Sequence, residues 1–264
     1  MKARRSKFAA QMARLAWLVL LSVLALQIYF LARIALMAIV DPQSTTFQRS
    51  EAWRLLGQPL TWRHEWVDYD QISSNLKRAV IASEDAGFVE HSGVEWDALE
   101  RAWERNQKAQ ARVERINTRI EQRLEKARPG KPRASAPTHA VARLVGGSTI
   151  TQQLAKNLFL DSERHLLRKA QEFVITFMLE AVLSKRRILE IYLNNVEWGS
   201  GVFGAEAAAQ HYFDTGARRL GARHAAQLAV MLPAPKRFEK RPSSSYVLGR
   251  AGTIMARMGA VELP

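Results

Sequence analysis

Residues 82–93 read ASEDAGFVEHSG, which places an acidic pair at the end of an apolar run and an aromatic residue, a histidine and a glycine after it. In the preceding run, apolar residues recur at spacings of three and four, which predicts a helix capped by Ser73 or Ser74. Adjacent carboxylates beside an apolar wall raise the pKa of one of them and prepare it as a general base. Taken alone, the segment also fits a solvated acidic pair on the surface.

A second polar stretch, GGSTITQQLAKN at residues 146–157, predicts another helix that begins with a capping box. One side of this helix is apolar, and the other carries Thr149, Gln152, Gln153, Lys156 and Asn157. The same period predicts helices over residues 100–126, 164–184, 185–194, 205–213 and 222–232. No run of alternating strands is convincing, and residues 199–204 (GSGVFG) indicate a flexible loop. The sequence therefore predicts a mainly α fold.

The composition narrows the classes of function. The chain has 264 residues, 39 Lys and Arg against 25 Asp and Glu, a formal net charge of +14 and no cysteine. Without cysteine, disulfides, cysteine-ligated metals and a cysteine nucleophile are excluded. The charge suggests a nucleic-acid partner at first, but its excess lies in residues 1–40 and 101–133, and the remaining chain is nearly balanced.

The N-terminal region predicts a membrane anchor. Residues 15–40 are almost continuously apolar, which is long enough for a membrane-spanning helix and longer than the apolar core of a cleaved signal peptide, the alternative. Basic residues concentrate in the tail at residues 1–14, and this predicts that the N-terminus lies in the cytoplasm and the rest outside. Residues 41–60 are interpreted as a juxtamembrane connector interrupted by Pro, Ser and Thr.

Residues 100–140 are interpreted as a charged insertion. Between residues 101 and 133 it carries 11 Lys and Arg against four Glu, and its helix has a thin apolar stripe. The Pro, Gly and Ser residues at 129–137 predict a mobile loop after the helix. The basic helix is either a solvated face or a contact surface for the anionic headgroups of a nearby membrane.

Together these segments resemble the signature blocks of the peptidoglycan glycosyltransferases of glycosyltransferase family 51. Residues 84–93 have the pattern E-D-x-x-F-x-x-H-x-G, and residues 146–157 hold the next block. The remaining blocks follow in the family's order as RKAQE at 168–172, SKRRILEIYLN at 184–194, GAEAAAQHYF at 204–213 and AQLA at 226–229.

The resemblance covers residues 66–242, and it implies a two-lobed, lysozyme-like, mainly α glycosyltransferase domain at residues 61–264. The length of the chain resembles that of the monofunctional enzymes, without the transpeptidase domain of the bifunctional members. The insertion between the first two blocks is longer and more basic than the family pattern.

The resemblance implies polymerisation of lipid II into the β-1,4-linked glycan strands of peptidoglycan, with inversion at the sugar and release of undecaprenyl diphosphate. By the family pattern, Glu84 is the general base and Glu172 assists at the leaving group. The implied substrate-binding residues are Asp85, Phe88, His91, Ser148, Thr149, Gln152, Gln153, Lys156, Asn157, Arg168 and Lys169.

No tightly bound cofactor is implied, and a divalent ion (Mg²⁺ or Mn²⁺) at Glu172 is left open. The implied partners are lipid II, the growing glycan–lipid chain and the lipids of the cytoplasmic (inner) membrane. Proteins of cell-wall synthesis or division are candidate partners, and no nucleic acid is expected.

Two other classes of function stay open. A lysozyme-like glycan hydrolase or lytic transglycosylase would need no cations for a diphosphate. A catalytically silent, membrane-tethered glycan-binding module would be expected to lack Glu84 or Lys156.

Overall fold

The computed structural model is mainly helical, as the sequence predicts. It describes residues 2–57, 62–125, 139–141, 146–160 and 166–264, with the backbone alone for residues 2–9 and 123–125. The chain divides into two compact units, one of residues 1–93 and 149–264 and the other of residues 94–148. The predicted loop at 129–137 and the predicted helix start at Arg164 lie outside the described residues.

The helices follow the predicted order along the chain. They are α1 (Lys2–Leu36), α2 (Thr46–Leu55), α3 (Ser74–Glu84), α4 (Trp96–Glu125), α5 (Ile150–Phe159), α6 (Leu166–Val182), α7 (Lys185–Asn195), α8 (Ala205–Phe213), α9 (Ala222–Met231), α10 (Pro235–Phe238) and α11 (Ser245–Met258). The sequence analysis does not predict α2, α10 or α11. Helix α2 forms inside the supposed connector because Thr45 and Gln48 make a capping box, in which each side chain accepts from the backbone N–H of the other.

A small sheet corrects the prediction that residues 199–204 are a flexible loop. Strand β3 (Val202–Phe203) pairs antiparallel with β2 (Glu197–Gly199) and parallel with β1 (Arg63–His64). Gly204 follows β3 at φ +85°, and a Cβ there would lie 2.7 Å from the carbonyl oxygen of Asn194, so the hairpin packs closely on the end of α7. Strands of two or three residues are too short to show an alternating pattern in the sequence.

Helix α1 contains a segment, Ala10–Leu36, that is long and apolar enough to cross a membrane. Most of its large apolar side chains are exposed, as a lipid-facing surface would be. Near its end, Phe30, Ile34 and Met37 are instead buried, and the ring of Phe30 meets Phe159 of α5 edge-on at 5.3 Å. The helix ends at Leu36, so the apolar residues up to position 40 continue past it in a turn.

Arg187, in the first turn of α7, ties that helix to the segment that follows α1. Its guanidinium donates to Met37 O at 2.8 Å, to Asp41 Oδ1 at 2.7 Å and to Glu190 Oε2 at 2.8 Å. The side chains of Arg187 and Glu190 are 16% and 13% exposed, so this pair is largely shielded from water, while the Asp41 side chain is 41% exposed. Its neighbour Arg186 also makes an ion pair, but its side chain is 49% exposed.

Replacing these two arginines compares a largely buried arginine, Arg187, with an exposed one, Arg186. Arg187→Met should lower the free energy of unfolding by about 2–3 kcal/mol, because two carboxylates and a carbonyl lose their donor. Arg186→Met should cost about 1 kcal/mol or less. In thermal denaturation of the detergent-solubilised chain, the Arg187 variant should melt about 5–10 °C below the wild type. Equal shifts for the two variants would contradict this role of Arg187.

Candidate active site

Asp85 joins the end of α3 to the start of α5. Ser73 caps the start of α3, and Asp85 caps its end by donating its backbone N–H to Ile81 O at 2.9 Å. The buried carboxylate of Asp85 accepts the backbone N–H of Ile150 through Oδ2 at 2.9 Å, and its Oδ1 lies 2.8 Å from His91 Nε2. A carboxylate stabilises a helix N-terminus, where backbone N–H groups lack partners within the helix.

A second link joins the same two segments through Gly93. Thr149 and Gln152 form the predicted capping box, and the Thr149 hydroxyl also donates to Gly93 O at 2.6 Å. Gly93 has φ +89°, and a Cβ there would lie 2.7 Å from Thr176 Cγ2 and 2.8 Å from Glu180 Cγ. Only glycine fits this position, so the final residue of the first block is fixed by close packing.

Glu84, the last residue of α3, lies beside these links. Its Oε2 accepts from Gln153 Nε2 at 3.1 Å, and its Oε1 accepts from the Ser83 hydroxyl at 3.3 Å. Gln153 Oε1 in turn accepts from the hydroxyl of the buried Tyr192 at 2.9 Å. Burial raises the pKa of Glu84 and the charge of Asp85 adds to this, while the bonds from Gln153 and Ser83 oppose it. A carboxylate with a raised pKa is suited to accept a proton near neutral pH.

Glu172, on α6, accepts hydrogen bonds from positively charged side chains, whereas Glu84 accepts from neutral ones. Its buried carboxylate accepts from Arg168 Nη1 at 3.0 Å and from Lys169 Nζ at 2.5 Å. An exposed pair with this helical spacing would contribute only about 0.2–0.5 kcal/mol. Here the Glu172 side chain is 5% exposed and that of Arg168 is 14% exposed, so the pair is held out of water.

The surroundings of Glu172 do not fit a divalent cation. Both of its carboxylate oxygens are bonded to positive side chains. Among the described residues, no group of three or more His, Asp or Glu side chains could hold a metal ion. A divalent ion prefers several oxygen ligands, whereas the groups bonded to Glu172 are the positively charged side chains of Arg168 and Lys169.

The remaining predicted residues occupy different positions. Phe88 is fully buried beside the acidic pair, and Gln152 is buried as a member of the capping box. Lys156 is exposed on α5 and Asn157 is partly buried there. Ser148 belongs to the second unit.

The comparisons with known proteins identify the family of the chain. The profile of the Transglycosylase family matches residues 54–126 and 133–259. The chain belongs to the transglycosylase family. Its relatives include proteins that carry the name biosynthetic peptidoglycan transglycosylase. That of Burkholderia orbicola (strain MC0-3) is 48% identical over 99% of this chain and 93% of its own length. That of Cupriavidus pinatubonensis is 53% identical over 92% and 86%, and that of Paraburkholderia phytofirmans is 50% identical over 91% and 88%.

Within this transglycosylase, sequence reasoning missed a network around Lys185. Its Nζ donates to His91 O at 2.6 Å and to Glu180 Oε1 at 2.8 Å, and lies 4.6 Å from the centre of the Phe88 ring. Glu180 also accepts from the Thr151 hydroxyl at 2.6 Å. Lys185 therefore holds the 88–93 segment against α5 and α6. Lys185 and Glu180 lie in or beside the recognised blocks, but their spacing gives no sign that they meet.

Tyr192 is the other residue that sequence reasoning missed. It lies on the apolar face of α7, where a tyrosine is usually interpreted as a core residue. Its hydroxyl could have indicated a polar contact, because a buried tyrosine hydroxyl usually has a hydrogen-bond partner. That partner is Gln153, which contacts Glu84 directly.

Tyr192→Phe should reduce the turnover rate of the transglycosylase about five- to tenfold, because Gln153 loses the bond that orients its amide toward Glu84. Tyr212→Phe is the matched control, since the Tyr212 hydroxyl also donates one hydrogen bond, but to a backbone carbonyl, Trp198 O at 2.8 Å, and not to Gln153. Both variants should lose similar stability in thermal melts, while the control keeps its turnover. Equal turnover in the two variants would rule out a positioning role for Tyr192.

Proposed function

We propose that this transglycosylase polymerises lipid II into the β-1,4-linked glycan strands of peptidoglycan and releases undecaprenyl diphosphate. Membership of the family and the names of relatives about 50% identical over most of the chain support this activity. One observation supports the mechanism most directly. The Glu84 carboxylate is partly buried, and this burial raises its pKa.

The reaction needs a base because a sugar hydroxyl is a weak nucleophile. We propose that Glu84 accepts the proton of the acceptor's 4-hydroxyl as its oxygen attacks the anomeric carbon of the growing chain. The bond from that carbon to the diphosphate breaks, and its electron pair leaves with the lipid diphosphate. Attack from the opposite face inverts the anomeric centre and gives the β-1,4 bond. Asp85, His91 and Gln153 position the base through the hydrogen bonds described above.

The departing diphosphate needs positive charge to stabilise it. Arg168 and Lys169 are proposed to supply that charge from α6, with Lys156 on α5. Glu172 assists by holding Arg168 and Lys169 in place, since it accepts from both.

The apolar segment of α1 is proposed to span the cytoplasmic membrane once, with the N-terminus inside and the catalytic domain outside. Both substrates carry lipid tails, so anchoring confines enzyme and substrate to one surface and raises their effective concentration. Proteins of wall synthesis or division are the partners proposed for an enzyme at this place.

Polymerisation of lipid II by the detergent-solubilised chain tests the assignment. Glu84→Gln should lower the rate about 10²–10⁴-fold, because the amide cannot accept the proton. Glu90→Gln is the matched control, since Glu90 is exposed and six residues away in the same block. Equal rates for wild type and Glu84→Gln would reject Glu84 as the base. Cleavage of preformed glycan without polymerisation would favour the hydrolase, and binding without chemistry would favour the silent module.

The pH dependence follows from the environment of Glu84. The base works deprotonated, so kcat/KM should fall as the pH is lowered through its pKa. Because burial raises that pKa, the acid limb should have its midpoint above 4.5, the ordinary value of the group. The rate of lipid II polymerisation, measured against pH, gives the midpoint of this acid limb. A midpoint at or below 4.5 would be inconsistent with a desolvated base.

A further inference from the structure

Helix α4 carries a regular stripe of basic residues that the proposed reaction does not use. The stripe consists of Arg101, Arg105, Lys108, Arg112, Arg115 and Arg119. Alternating spacings of four and three place all of them on one face of the helix. All are exposed, and at a rise of about 1.5 Å per residue the stripe is about 27 Å long.

Among the residues that the structure describes, most of this charge is not neutralised by carboxylates. Arg101 pairs with Glu95 at 3.0 Å and Lys108 with Glu104 at 3.5 Å. In the described part of the chain, the arginines at positions 105, 112, 115 and 119 have no carboxylate partner. Like charges at helical spacings of four slightly destabilise a helix, and an anion bound against the stripe would offset this repulsion.

The neighbouring surface also suits a lipid interface. Ile116 is 38% exposed beside the stripe, and together with Ala111 and four stripe residues it lines an open depression of about 540 Å³. A helix with cations next to apolar side chains is typical of segments that lie at the headgroup layer of anionic membranes.

We propose that the α4 stripe binds the phosphate groups of anionic phospholipids. The chain has an apolar segment fit to anchor it in a bilayer, and phospholipid headgroups present phosphate anions at a bilayer surface. Each arginine attracts these headgroups by charge, and the contact weakens in salt because the stripe is exposed. The inference is independent of the role of Glu84.

The absence of cysteine allows a single probe to be placed in the full chain. Ala111→Cys, labelled with a fluorophore, is reconstituted into nanodiscs of phosphatidylcholine alone or mixed with phosphatidylglycerol, each with an energy acceptor on a headgroup. Energy transfer should be higher in the anionic discs, and high salt should remove the difference.

Variants in the labelled background identify the residues responsible. Changing Arg105, Arg112, Arg115 and Arg119 to Gln should reduce transfer in anionic discs to its level in neutral discs, while changing the same four to Lys should preserve it. The matched control replaces exposed cations of the first unit by Gln at Arg223, Arg241, Arg250 and Arg257, and it should leave transfer unchanged.

Three outcomes would overturn the proposal. They are equal transfer in neutral and anionic discs, equal loss in the stripe and control variants, and a rise that appears only when lipid II is added to neutral discs. The last would assign the stripe to the substrate diphosphate. Circular dichroism of the Gln variant should show retained helix, so that a loss of transfer reports the lost contact.

Discussion

The site depends on the carboxylate of Asp85, which bonds at once to His91 and to the backbone N–H of Ile150, 65 positions further along the chain. Asp85 is buried, so these bonds are not exchanged for bonds to water. They place the end of α3 against the start of α5, and the bond from Thr149 to Gly93 closes the same junction from the other side. The first two sequence blocks, residues 84–93 and 146–157, are therefore joined by hydrogen bonds at one place, and Glu84 lies beside it.

The two glutamates assigned to the reaction differ in what surrounds them. Glu84 meets neutral donors, Gln153 and Ser83, and burial raises its pKa. Glu172 is held by two cations, Arg168 and Lys169. Enzymes assign different roles to similar carboxylates through such differences of environment. The arrangement suits a base at one place and diphosphate stabilisation at the other.

Helix starts that depend on neighbouring residues could be predicted from the sequence, but contacts between residues distant in the chain could not. The capping box at Thr149 predicts where α5 begins and the apolar period predicts where α7 begins, and the structure places both starts within a residue of these positions. The capping box at Thr45 was missed because the Pro and Ser residues around it favoured a connector. The β2–β3 hairpin escaped prediction because its strands are too short for a period. Tyr192 and Lys185 act through partners distant in sequence, so only the fold reveals them.

The most direct test is to titrate Glu84 itself. The full chain, with ¹³C in its glutamate carboxyl groups, can be followed by NMR in detergent micelles across the acid range, and the Glu84→Gln spectrum identifies the signal. The account predicts that this carboxyl titrates above 4.5, its ordinary value, because burial disfavours its charged form. A titration at or below 4.5 would show that Glu84 is well solvated or paired with a cation, and would contradict its role as a desolvated general base.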